Sequence, residues 1–501
     1  MNKNKALFCF SIILVIVTKC AAAVDLNLIH PDEHFQSLEP AFHALTGQGF
    51  LSWEWQVGYR PWTVPGFYLP ILWLYGKFAS LSGPWPIVLC RLASATLSVV
   101  CLLYLLSIVK KEFSDRAYEW LFLALGLCSG FVLSISVSTH SENIATSLYW
   151  IGFALVYKQS QHEKYLAATA GLLLGLSVAL RFQMLALVLP TLFIFTGTQW
   201  YKTKSGAWYA YSILFGFVAA VALLGAIDLV TYGRPFHSWL QHYQYNFVQK
   251  VSDLYGVSPW YEYFWLLKKA DGWWAASTLV ALIMAALLVV TLSVRGKSRL
   301  NGKADLMLLV VPSALYAVAH FFIGHKELRF LYPTWPALIA VPLVILRGIM
   351  VWLIPSHSNI LFDSVKNWSS VIPLLLCALL GFWMSRQPGL ISSFDLSALS
   401  QAAYKDGALT QKHPVESVTG KVNDCIVLVE HYWAWTRGHL FWGRKIDMIE
   451  TDLKGFSNNR THCPYIFVAA HAAKEFRSSV NKYGLKHIYT DRWRNTLYGR
   501  K

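Results

Sequence analysis

The chain has 501 residues, of which 55% are hydrophobic and only 14% charged, and its net charge is +16. A soluble domain carries about a quarter charged residues, so this composition excludes an ordinary soluble enzyme. A nucleic-acid partner is excluded too, because much of the positive excess lies in short clusters between apolar runs: Lys110-Lys111, Lys158 with Lys164, Lys202 with Lys204, and Arg295-Gly-Lys297-Ser-Arg299 with Lys303. That distribution is how the positive-inside rule reads in a polytopic membrane protein.

The apolar runs reach the length that crosses a bilayer, roughly 17–25 residues. About eleven transmembrane helices are expected, at 6–23, 86–109, 118–138, 143–157, 165–180, 184–200, 207–230, 273–294, 305–323, 333–353 and 371–386. The first resembles a secretory leader, with Lys3 and Lys5, an apolar stretch and Cys20-Ala-Ala-Ala23, but its length favours a retained helix. Residues 66–82 are apolar, aromatic and interrupted by Pro70; they read as an interfacial or re-entrant piece, with a twelfth span as the alternative. With the N-terminus in the cytoplasm, the basic connections 110–117, 158–164, 201–206 and 295–304 fall inside. The connections 24–85, 139–142, 181–183, 231–272 and 324–332 then fall outside, and a twelfth span would break this agreement.

Two domains follow: an all-α transmembrane domain over 1–386 and an extracytoplasmic domain over 387–501. The tail is polar and holds short β-rich runs, Cys425-Ile-Val-Leu-Val429, Tyr465-Ile-Phe-Val468 and His487-Ile-Tyr489, with a helical stretch near 471–483. This alternation predicts a small α/β domain. Cys425 and Cys463 could pair in an oxidising compartment, whereas the other six cysteines lie in or beside apolar spans and read as core. Asn459-Arg-Thr461 is a glycosylation sequon.

The outer connections hold the unusual polar residues. The first begins His30-Pro-Asp-Glu-His34-Phe-Gln36. Pro31 at a first helical position followed by Asp32 and Glu33 reads as a helix start, where the dipole favours anions. The same two carboxylates, just outside a bilayer, would suit a general base acting on a lipid-anchored substrate. Asp32 and Gln36 share a helical face. The second connection is Ser138-Thr-His140-Ser-Glu-Asn143, a short turn or part of a site. The third, Arg181-Phe182-Gln183, offers an arginine that binds an anion or snorkels to the interface. The fourth is long and aromatic, with Asp228 at its inner edge and Tyr232, Tyr245-Asn246 and Trp260 along it; an aromatic belt is the plainer reading. The fifth is His325-Lys-Glu-Leu-Arg329-Phe330. Its His, Lys and Arg suit a phosphate, and Glu327 suits orienting Lys326 or Arg329 better than headgroup anchoring.

These strings resemble glycosyltransferase family 22, the membrane mannosyltransferases of N-glycan precursor and GPI-anchor assembly with their bacterial relatives. The matching residues are His30-Pro-Asp-Glu33 with Gln36, Asp228…Tyr232-Gly233, Tyr245-Asn246, Tyr255-Gly256…Pro259-Trp260 and His325-Lys-Glu-x-Arg-Phe330, the last being the family's most specific signature. Eukaryotic members usually carry Arg-Pro/Gln-Thr where this chain has Arg181-Phe182-Gln183. The resemblance implies a GT-C fold and a dolichyl- or polyprenyl-phosphate-mannose donor. It implies Asp32 as the catalytic acid of the first outer loop, with Glu33 beside it.

The expected function is therefore transfer of mannose, with inversion, from such a donor to a lipid-linked glycan or glycolipid acceptor on the extracytoplasmic face. The membrane would be that of the endoplasmic reticulum or a bacterial inner membrane. Donor phosphate is expected on His325, Lys326, Arg329 and Arg181, and substrate on His30, Gln36, His140, Asp228, Tyr232, Asn246, Trp260 and Glu327. No cofactor and no obligate metal are expected, since the cations would stabilise the phosphate. The rival functions are a lipid-glycan flippase, whose charges would lie near mid-bilayer, and a non-catalytic glycan-binding subunit.

Overall fold

The computed structural model describes residues 3–113, 116–158, 164–202, 204–294, 303–353, 371–386, 399–402, 425–429, 438–442, 447–452, 455–456, 463–491 and 494–500. The basic cluster Arg295–Arg299 and the sequon at Asn459 lie outside these residues. In chain order the helices are α1 (Lys3–Val24), α2 (Glu39–Thr46), α3 (Trp53–Gln56), α4 (Thr63–Gly76), α5 (Pro84–Phe113), α6 (Arg116–Cys128), α7 (Gly130–Val137), α8 (Ser141–Lys158) and α9 (Lys164–Leu180). They continue with α10 (Leu185–Lys202), α11 (Lys204–Tyr232), α12 (His237–Tyr243), α13 (Glu262–Asp271), α14 (Trp273–Val294), α15 (Lys303–Phe321), α16 (Trp335–Leu353) and α17 (Val371–Met384).

Each predicted span carries a helix. Among the described residues, four helices are long and apolar enough to cross a membrane, and a fifth results if α6 and α7, bent by 77° at Ser129, count as one span. The bend has a local cause: Ser129 caps α7 through Val132 N at 3.0 Å, and Asp271 accepts from Ser129 Oγ and from Phe131 N. A carboxylate at a helix N-terminus satisfies donors that the broken ladder leaves open. Residues 66–82 contribute most of α4, whose 14 residues span about 21 Å, short of a bilayer core.

Contacts divide the chain into two units, Met1–Ala23 with Val57–Thr63 and Leu92–Leu390, and Val24–Gln56 with Val64–Arg91 and Ile391–Lys501. Most of the first connection falls in one unit with the tail.

In the first unit α9 packs on both α8 and α11. Gly171 and Gly175, four apart on α9, face Ile213 and Phe217 of α11, and a methyl group at either would collide with backbone. Small residues at this spacing let two helices approach where no hydrophobic effect drives them together. Helix α1 is tied into this unit by Lys19, whose Nζ donates to Ser98 Oγ at 2.9 Å and Ser136 Oγ at 2.5 Å. Ala22 and Ala23, the leader-like end, are buried against Ala95, Leu133 and Val137.

In the second unit the tail folds as predicted into a small α/β domain: β1 (Cys425–Val429), α18 (Gly438–Trp442), β2 (Asp447–Thr451), β3 (Tyr465–Val468), α19 (Ala473–Lys482), β4 (Leu485–Thr490) and β5 (Thr496–Arg500). The sheet order is β2-β1-β3-β5-β4, parallel among the first three strands and antiparallel beyond. Cys425 and Cys463 form a disulfide across 38 residues.

Candidate active site

The carboxylates of the first connection lie in the second unit, on a helix that begins one residue later than expected. Pro31 is the cap rather than the first helical residue, its carbonyl accepting from His34 N at 2.9 Å and Phe35 N at 3.2 Å. Asp32 and Glu33 form the first turn, a π-helical turn covers His34–Leu38, and α2 follows without a break. Such wide turns cluster at functional sites. Trp55 Nε1 donates to Phe35 O at 2.9 Å, so a carbonyl within the turn is answered from outside the helix.

The two acids have different surroundings. Glu33 is fully buried and held in a fork by Arg91, with Nε to Oε1 at 2.5 Å and Nη2 to Oε2 at 2.7 Å. Arg91 also donates to the carbonyls of Asp25 and Asn27, which pins the chain just before the helix. Asp32 keeps 22% of its side chain exposed. Its neighbour His30 accepts the Asp32 backbone N–H on Nδ1 at 3.2 Å, and the Asp32 carboxylate lies 3.5 Å from that nitrogen. Gln36 reaches Glu54 Oε2 at 3.3 Å.

The cations gather in the first unit as a chain of alternating charge. His325 Nε2 meets Glu327 Oε1 at 2.9 Å, and Glu327 Oε2 meets Arg329 Nε at 2.5 Å. Arg329 Nε lies 3.4 Å from Glu142 Oε1, which lies 3.2 Å from Arg181 Nη1. Phe330 underlies both guanidiniums, at 5.2 Å from Arg181 and 5.3 Å from Arg329. Burial would push the Glu142 carboxyl up, but Arg181, Arg329 and His140 outweigh it and hold it at about 2. Glu142 is the residue sequence reasoning passed over. Its signal was present, since a carboxylate between two apolar spans is rarely neutral in function, but the segment read equally as a turn.

Arg181 ends this chain and lines a cavity with Tyr59, Arg60, Phe182, Trp239 and His242. Burial and then the two guanidiniums, Arg60 and Arg181, hold the His242 imidazole down at about 3, so it stays neutral in a positive field. Among the described residues, the buried Trp239 Nε1 has no hydrogen-bond partner. Arg60 carried no signal of its own in the sequence, standing alone within a long connection.

The other predicted residues divide. Lys326 donates to Ser258 O at 3.0 Å and Ile323 O at 2.5 Å, tying the aromatic connection to the His325–Phe330 string. Asp228 is buried and accepts from Ser238 N at 2.8 Å and Ser238 Oγ at 2.6 Å, closing the start of α12. Tyr232 donates to Arg60 O at 2.7 Å, and Asn246 bridges Tyr59 Oη at 2.6 Å and His242. Both therefore shape the cavity's wall. His140 is buried with Nδ1 2.9 Å from Ser138 Oγ, and Trp260 is 61% exposed.

The chain is 26% identical over 366 residues to GPI alpha-1,2-mannosyltransferase 3 of Mus musculus, covering 73% of this chain and 63% of that protein. It is 25% identical over 372 residues to alpha-1,2-mannosyltransferase ALG9 of Homo sapiens, covering 72% and 58%. The chain thus spans a little under two thirds of the length of the curated relatives it matches. Among solved structures, apo ArnT from Cupriavidus metallidurans superposes with a TM-score of 0.58 at 11% identity, covering 99% of this chain and 98% of ArnT. The same protein bound to undecaprenyl phosphate gives a TM-score of 0.56, covering 98% of each chain. The fold is shared with ArnT: a helical membrane architecture with a small C-terminal sheet. The Alg9-like mannosyltransferase family is matched over residues 8–415, and the chain belongs to that family.

Proposed function

We propose that this protein is a membrane mannosyltransferase that moves mannose from a dolichyl- or polyprenyl-phosphate carrier to a lipid-linked glycan or glycolipid. Family membership supports the sugar and the reaction class. The likeness to ArnT, solved with undecaprenyl phosphate, supports a polyprenyl phosphate carrier. The disulfide in the tail supports an oxidising, extracytoplasmic side for that domain.

The observation that carries the mechanism is the unequal treatment of the two acids. Glu33 is committed to Arg91, whereas Asp32 keeps a partly exposed carboxylate. Asp32 accepts the proton of the acceptor hydroxyl as its oxygen bonds to the anomeric carbon of mannose. The bond from that carbon to the phosphate oxygen breaks in the same displacement, and the polyprenyl phosphate leaves as an anion. One displacement inverts the anomeric centre. Retention would need a second carboxylate about 5 Å away acting as nucleophile, and Glu33, forked by Arg91, does not supply it.

The leaving phosphate is held by Arg181 with Arg60, where the field already keeps His242 neutral and an indole N–H awaits an acceptor. His325, Lys326 and Arg329 serve the phosphate by fixing that site, through Glu327 and Glu142 and the Ser258 carbonyl.

The test is Asp32→Asn in membranes supplied with radiolabelled dolichyl-phosphate-mannose, reading label in the extracted lipids. Loss of a general base predicts a fall of roughly a hundredfold or more in transfer. Near-normal transfer would remove Asp32 from the mechanism.

A further inference from the structure

The helix that carries Asp32 is also held further along, at Glu39, by the C-terminal domain. Glu39, the first residue of α2, is fully buried. Its Oε2 accepts from Phe50 N at 2.8 Å, which folds the rest of the connection back onto the helix. Its Oε1 accepts from Leu440 N at 2.6 Å, and Leu440 belongs to α18 of the tail. A second tie runs beside it, from Gly83 N to Phe441 O at 2.6 Å.

Between Asp32 and Glu39 lies the π-helical turn. It interrupts the i→i+4 ladder of the helix for a single turn. The ends are set from outside: Arg91 grips Glu33, and the Leu440 amide grips Glu39. A buried carboxylate held by two backbone amides is costly to disturb, because either amide left unanswered loses its water as well as its partner.

We infer that Glu39 and the tail helix Gly438–Trp442 are positioning elements for the transfer reaction, so that the C-terminal domain aims Asp32 rather than serving as a separate recognition module. This rests on Asp32 acting as the base. Glutamine at Glu39 keeps the shape but offers one amide a donor instead of an acceptor.

The experiment compares wild type, Glu39→Gln and Asp32→Asn as full-length, monodisperse protein in lipid nanodiscs. Transfer from dolichyl-phosphate-mannose to extracted membrane lipid is measured against donor concentration and pH, well below each variant's thermal midpoint. Glu39→Gln is expected to lose at least tenfold in kcat with donor KM within twofold, and to move the acid limb of the kcat–pH profile. If Glu39→Gln does not purify as a single species, Glu39→Asp, which draws the carboxylate back by one methylene, is read by the same criteria. An unchanged kcat, or a lowered kcat with an unmoved acid limb, overturns the inference while leaving the base assignment intact. Near-normal transfer by Asp32→Asn overturns the base assignment itself, and this inference with it.

Discussion

At the scale of single residues, charge compensation is the organising fact. Arg329 and Arg181 are both buried, and the carboxylate they share is Glu142. Removing one member of a buried ion network leaves its partners uncompensated, typically at a cost of about 3 kcal/mol or more. Glu142→Gln should therefore lower the thermal midpoint of the purified protein, and the double change with Arg329→Met should recover part of that loss. Equal midpoints for wild type and Glu142→Gln would mean that the network contributes little. His325 offers a handle on the other end. Its hydrogen bond to Glu327 raises its protonation range above the ordinary histidine value, although burial pulls the other way and Arg329 opposes it. A raised folded-state value means stabilisation is full below about pH 6.5 and is lost as pH climbs through the raised value. The thermal midpoint of wild type should fall across that window, and that of His325→Gln should not; parallel curves would assign the dependence elsewhere. The motif strings themselves were legible, because clustered ionisable residues stand out against apolar spans. The chain of contacts from 327 through 329 and 142 to 181 was not, since residues so far apart in sequence meet only through packing.

At the scale of elements, periodic apolar length located each span, yet it missed a break inside one of them. The stretch 118–138 reads as one continuous run, but Ser129 and a carboxylate from Asp271 make it two helices at 77°. Ser129 is a local capping signal, but its partner Asp271 stands 142 positions away and no local rule finds it. The leader-like start shows the opposite case. Small residues before position 24 suit both a cleavage site and a tightly packed helix end. In the fold the Lys19 ammonium donates to hydroxyls from α5 and α7, which ties α1 to both helices. The π-helical turn after Glu33 was equally invisible, since its five residues, His34-Phe-Gln-Ser-Leu38, carry no signature that separates them from an α-helical turn. Tertiary partners at both ends, Arg91 and Leu440, accompany it in the fold.

At the scale of the whole molecule, the tail's α/β character was legible from its short β-rich runs and the helical stretch between them, whereas Cys425 and Cys463 could be read only as able to pair. Its partnership with the first connection was not: Glu39 and Leu440 stand 401 residues apart, and what meets the carboxylate is a backbone amide, which every residue but proline possesses. That partnership gives the Cys425–Cys463 bridge a second meaning. Closing a loop of this length removes about 4 kcal/mol of conformational freedom from the unfolded domain, and the domain so stabilised is the one that holds Glu39. Competence then has a timetable. A newly inserted chain with free thiols would possess every reacting group and still be dormant, and oxidation of two sulfurs far from the sugar would switch it on. Protein translated into membranes under reductant should acquire transferase activity only after an oxidant is added, whereas a Cys425→Ser/Cys463→Ser chain with full activity would show that maturation needs no such step.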